Sequence, residues 1–139
     1  MLGDERSLDL YPIASLFNDA THVAAGSDWP VSSADPLAAI EVGITRRAEG
    51  APPGPAWLPE QRATLEQMLA AYTRGGAFLD LRLWERGTLE RGMAANLVVL
   101  DRNLFEIPPH EISDARVLWT IADGQTIWLA TPSPLAGAP

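Results

Sequence analysis

Apolar residues in this chain fall into two patterns, one helical and one strand-like, that change over near Arg82. Leu8, Leu10, Ile13, Leu16 and Phe17 approximate helical spacing, which predicts a helix over residues 7–18, with Pro12 suited to an early turn. Val23, Ala24 and Ala25 read as a short buried strand within 22–28, punctuated by Gly26, Ser27 and Pro30. Asp35-Pro36 has the form of an N-cap followed by proline at the first helical position. Leu37, Ile40 and Ile44 then share a face up to Arg47, and Arg46 and Arg47 suit the helix C-terminal end. Both arginines are expected to serve the helix dipole or ion pairs before any substrate.

Residues 49–59 hold too many prolines and glycines for a helix or central strand, so they predict a surface loop tacked down by Trp57 and Leu58. Thr64 and Gln67 have capping-box spacing, and Leu65, Met68, Leu69 and Tyr72 form the buried stripe of the helix that follows. Gly75-Gly76 should weaken its far end, with Ala77, Phe78 and Leu79 available to continue it. Beyond Arg82, Ala95–Leu100 reads as a strand, and Arg116–Ile121 with Gln125–Leu129 as a hairpin about Asp123-Gly124. No internal repeat is visible.

The segment 22–31 carries the chemistry. Its apolar run ends abruptly at Asp28, where a strand opens into a loop. That is the mouth at which α/β barrels do their chemistry. By position alone such an acid is a cap, a loop acid or a ligand. Ser27 beside it suits a hydrogen-bond donor that orients the carboxylate, but no Ser-His-Asp arrangement makes it a nucleophile. Trp29 either walls a substrate pocket, which makes it the substrate-binding candidate, or packs under the loop.

Composition narrows the function. The net charge of −8 argues against a nucleic-acid partner, which needs basic patches to neutralise phosphate. Cysteine is absent, so disulfides and thiolate metal sites are excluded. Hydrophobic residues at 47% and charged residues at 20% fit a folded chain. No apolar run approaches the roughly 20 residues of a membrane span, and no membrane partner is expected. Asp4 and Glu5 do not suit a signal peptide, so a cytoplasmic location is expected, although secretion could be encoded upstream.

Gly26-Ser27-Asp28-Trp29-Pro30-Val31 with Asp35-Pro36-Leu37 resembles the eighth barrel strand and loop of metal-dependent amidohydrolases, in the branch called amidohydrolase family 3. Thr45-Arg46, Leu58-Pro59-Glu60-Gln61, Thr64-Leu65-Glu66-Gln67, Ala71-Tyr72-Thr73, Gly87 to Gly92, Leu97 to Asp101, Val117 to Thr120 and Asp123-Gly124 match in the same order, so the resemblance runs from Leu2 to Trp128. A complete (β/α)8 barrel takes about 250 residues, against 139 here. The resemblance therefore implies an α/β fold that is the C-terminal fragment of a TIM-type barrel, its last strand and helices within residues 1–82. Strands of a small β-sandwich shared by both chain ends follow at 83–130, then a disordered tail at 131–139. Met1 reads as an internal methionine.

The activity it implies is hydrolysis of non-peptide carbon–nitrogen bonds in small amide substrates by metal-activated water. Asp28 would be both metal ligand and proton acceptor. The metal, zinc by expectation, brings the pKa of its bound water from 15.7 to about 7, and a neighbouring carboxylate can pass the proton to the leaving amine. Catalytic zinc takes about three protein ligands, and His22 and His110 do not match the family's histidine motifs. His22 should lie at the barrel's opposite, structural end, and His110 on the surface. The isolated chain is thus expected to hold no metal tightly and to be inactive. The alternative is a non-catalytic fragment that self-associates or complements a separate N-terminal barrel half. Two departures, Asn96 where the family usually has Asp and Ala25 where it has a bulkier residue, touch structural positions.

Overall fold

The structure is a computed structural model that describes residues 4–19, 22–52 and 54–131. The readings of Met1 and of the tail beyond residue 131 lie outside the described residues. The first expected helix is divided. Asp4–Ser7 forms one turn (α1), and the main helix runs over Ile13–Asp19 (α2). Proline is the cause, because its ring disfavours α conformation in the preceding residue. Tyr11 leaves the helical region at φ 49°, and Leu16 donates back to the Pro12 carbonyl at 2.9 Å.

Pro36–Thr45 (α3) begins at the expected cap, where the Asp35 carboxylate accepts the Leu37 amide. It ends one residue before the paired arginines. Arg46 caps it in the left-handed region at φ 55°, its amide bonded to the Val42 carbonyl. Neither arginine forms an ion pair among the described residues. Arg46 is buried, its guanidinium lies 4.9 Å from the centre of the Trp57 ring, and its Nε donates to the Trp57 carbonyl. Burial lowers its pKa from the ordinary guanidinium value, with Glu60 opposing. Arg47 donates to the carbonyls of Ala51 and Pro52. The 49–59 loop is thus pinned by cations at its carbonyls as well as by buried Leu58.

Leu65–Ala70 (α4) carries the complete reciprocal capping box. Gln67 donates its amide to Thr64 Oγ1, and Thr64 donates its own to Gln67 Oε1. The helix continues past the glycine pair through Ala77, Phe78 and Leu79. It widens into a π-turn over Ala71–Gly75 and continues as Gly76–Leu79 (α5).

Three antiparallel strands follow, Leu97–Leu100 (β1), Val117–Ala122 (β2) and Gln125–Leu129 (β3), in the order β1-β2-β3. Asp123 and Gly124 both have positive φ, 48° and 77°, as a tight two-residue hairpin turn requires. Asn96 Oδ1 accepts the Asp123 amide at 2.7 Å, an acceptor role that an aspartate oxygen fills equally well. The core lies between the helices and the β1–β2 connection. Leu37, Ile40, Ala63 and Met68 meet Leu104, Ile112 and Ala115, and Ile13 and Phe17 pack at its margin. Glu41 of α3 accepts the Ser113 amide across this contact.

Asp101 locks the end of β1 to the start of β2. Its carboxylate accepts both the backbone and the side chain of Arg116 as well as the Arg102 guanidinium. Arg102 and Arg116 hold that carboxyl well below the usual carboxylate range. A depressed pKa contributes stability above the unfolded value of about 3.9 and loses it as pH falls towards the folded value. Asp101→Asn should therefore lower the urea midpoint at pH 7, and its difference from the unmodified chain should shrink as pH falls below about 4. A difference that stays constant from pH 7 to pH 3 contradicts this assignment.

Candidate functional site

Residues 22–28 form no regular element and pair with no strand among the described residues, and Val23, Ala24 and Ala25 are only half-buried. The expected buried strand is therefore corrected. A strand needs a ladder partner on at least one edge, and this segment instead packs on a helix. The Ala25 amide donates to the Ala71 carbonyl at 3.2 Å. Gly75 approaches so closely that a Cβ placed on it would lie 2.1 Å from the Val23 carbonyl oxygen. At the near end the His22 ring stacks on Phe78, with centroids 3.8 Å apart and planes 9° from parallel.

Asp28 leads out of this anchored stretch. Its backbone lies in the left-handed region at φ 52° and its carbonyl accepts the Val31 amide at 2.9 Å. The residue is exposed, and among the described residues its carboxylate makes no hydrogen bond or ion pair. Ser27 Oγ accepts the Trp29 amide at 3.3 Å and is not bonded to Asp28. Ser32 donates its hydroxyl to the Ser27 carbonyl. Trp29 is 69% exposed, so it does not pack under the loop, and the Trp29–Pro30 bond is cis.

Ser27, Asp28 and Trp29 therefore stand together on one exposed turn. Neither histidine joins them. His22 is engaged with Phe78, and His110 lies exposed at the rim of a small recess with Glu41 and Asp114. Among the described residues no group of three or more His, Asp or Glu side chains stands close enough to hold a metal ion. The described residues thus supply one candidate ligand and no metal centre.

A separate open groove of about 1250 Å³ lies between the α4–α5 helix and β1. Leu69, Tyr72, Leu97, Leu100, Leu104 and Phe105 line its apolar parts, and Asp28 is not among its residues. Burial raises the Tyr72 phenol above its ordinary pKa.

A family model described as the amidohydrolase family matches residues 1–128, nearly the whole chain and the Asp28 turn with it. The chain belongs to the amidohydrolase family. Among curated proteins, this amidohydrolase chain is 35% identical over 133 residues to the Arabidopsis thaliana protein LONG AFTER FAR-RED 3, covering 91% of this chain and 21% of that protein. It is 29% identical over 121 residues to the N-substituted formamide deformylase of Arthrobacter pascens, covering 87% of this chain and 22% of that enzyme. The chain therefore spans about a fifth of the length of these relatives. No solved structure matches it. Among the described residues no helix is long and apolar enough to cross a membrane.

Sequence reasoning did not find the helix face that receives residues 22–25. The available signal was the glycine inside a helical pattern, a mark of close backbone approach as well as of low propensity. The exposed Asp28 side chain makes one direct prediction. Asp28→Asn should leave the unfolding free energy within about 0.5 kcal/mol, because Asn tolerates the left-handed backbone equally well. Asp28→Val should cost about 1–2 kcal/mol, because a β-branched residue resists that region. Urea denaturation followed by tryptophan fluorescence reads both, and equal losses in the two variants contradict the placement.

Proposed function

We propose that this chain forms the C-terminal part of a metal-dependent amidohydrolase acting on carbon–nitrogen bonds of small amides. It would be the last strand and helices of a barrel, followed by strands of a small sandwich. The family match that runs through the Asp28 turn carries this reading. The relative named a formamide deformylase supports a substituted amide as the substrate class. In this account residues 22–28 become a ladder-paired barrel strand only when neighbouring strands are supplied from outside the described residues.

Asp28 is assigned as the ligand and proton acceptor contributed by this chain. Its exposed carboxylate, which makes no hydrogen bond among the described residues, is available for both roles. When bound, the divalent metal (zinc in this proposal) supplies the activated water. The residues described here do not make up its site, so no bond-breaking step is assigned within this chain alone. Ser27 would steady the turn and Trp29 would wall the substrate side. The location proposed is cytoplasmic.

One observation favours a second function. The groove beside β1, with exposed Val98, Phe105 and Trp128 nearby in sequence or on the sheet, leaves apolar surface open to a partner. Self-association, or complementation of a separately made barrel half, would cover it without catalysis by this chain.

Two measurements on amide hydrolysis test the first function. The purified 139-residue chain with added zinc should show no turnover. In a complete polypeptide, Asp28→Asn should lower kcat by about 10²–10⁴-fold, the scale of a lost proton acceptor. Metal-dependent turnover by the isolated chain, or full activity of the Asp28→Asn polypeptide, contradicts the assignment.

A further inference from the structure

We propose that one face of the 65–79 helix, presented by Ala71, Gly75 and Phe78, is the positioning element for the Asp28 turn. This rests on the assignment of Asp28 as a working residue, but its geometry does not. Three contacts run in register along the helix. His22 stacks on Phe78, the Val23–Ala24 backbone meets Gly75, and the Ala25 amide bonds to the Ala71 carbonyl. The two segments run in opposite directions. A segment with no ladder partner among the described residues is thereby held at residue 22, at 23–24 and at 25.

The contact falls on the π-turn. Ala71 and Gly75 are its first and last residues, and both are buried. There the Ala71 carbonyl takes the Ala25 amide from outside the helix. Gly75 is required for a different reason. Its φ of −60° is ordinary helix, so no backbone freedom is at stake. What matters is the absent side chain, because any Cβ would enter the Val23 carbonyl. Asp28 lies three residues beyond the last anchor, so displacement of residues 23–25 displaces the carboxylate.

Adjacent glycines offer a matched control. Gly75 and Gly76 have nearly the same helical backbone, yet a Cβ on Gly76 meets nothing within 4 Å. Alanine at either site gains the same helix propensity, but only Gly75→Ala pushes on the Asp28 segment. The test is residue-resolved amide hydrogen exchange and NMR on the 15N,13C-labelled chain, read at the Ala25 amide, at the Asp28 carboxyl carbon and at the core amide of Ala115.

Gly76→Ala should leave all three unchanged. Gly75→Ala should speed Ala25 exchange by about tenfold or more, the scale of a lost hydrogen bond. It should also shift the Asp28 carboxyl resonance while Ala115 stays protected. If Gly75→Ala fails to fold, His22→Ala adds no atoms and should produce the same local pattern. The proposal is overturned if the informative variant leaves Ala25 and Asp28 as Gly76→Ala does, or if Ala115 loses protection to the same degree. Neither metal nor turnover enters this readout, so a failure of Asp28 as a ligand registers separately.

Discussion

The apolar core among the described residues lies where α3 and α4 close on Leu104, Ile112 and Ala115. This contact joins helices from the first half of the chain to the connection between β1 and β2. Ile112 is 1% exposed at its centre, and the Glu41–Ser113 hydrogen bond fixes the angle at which the connection crosses α3. β3 is exposed over Gln125–Trp128, and residues 22–25 rest on the 65–79 helix. A chain with so much of its sheet and strand surface open has placed its rigidity in helix contacts, and the functional turn inherits its position from them.

What was legible in the sequence was local chemistry with short reach. The Asp35-Pro36 cap, the Thr64–Gln67 box and the Asp123-Gly124 turn each need only a few neighbouring residues, and each stands where the pattern placed it. Errors arose where the outcome depends on a distant partner. A run such as Val23-Ala24-Ala25 has strand character in any α/β protein, but a strand is a pairing, and among the described residues no other strand lies beside it. Arg46 illustrates the same limit. A cation at a helix end reads as serving the dipole or an ion pair, yet the Trp57 ring and carbonyl, eleven residues on, hold it in a buried position.

The candidate site was legible in its identity more than in its surroundings. Asp28 ends an apolar run and was found for that reason. The turn that presents it, with Ser27 accepting the Trp29 amide and Trp29 facing solvent, follows from backbone geometry that no periodicity encodes. Gly75 was visible as a low-propensity residue, but the backbone that packs on it was not. Propensity counts what a glycine costs a helix, whereas its use here lies in the backbone that fits against it. The proposed role of Asp28 as one ligand of a centre completed elsewhere rests on the family match and on relatives about five times longer than this chain.

The most direct test of that claim is the mass of the native protein recovered from its source by an antibody against residues 36–131. A single polypeptide several times larger than 15.0 kDa, containing the Asp28 turn, is the result this account predicts. A stable species at 15.0 kDa with no other polypeptide attached would contradict it. Asp28 would then have no partners with which to hold a metal.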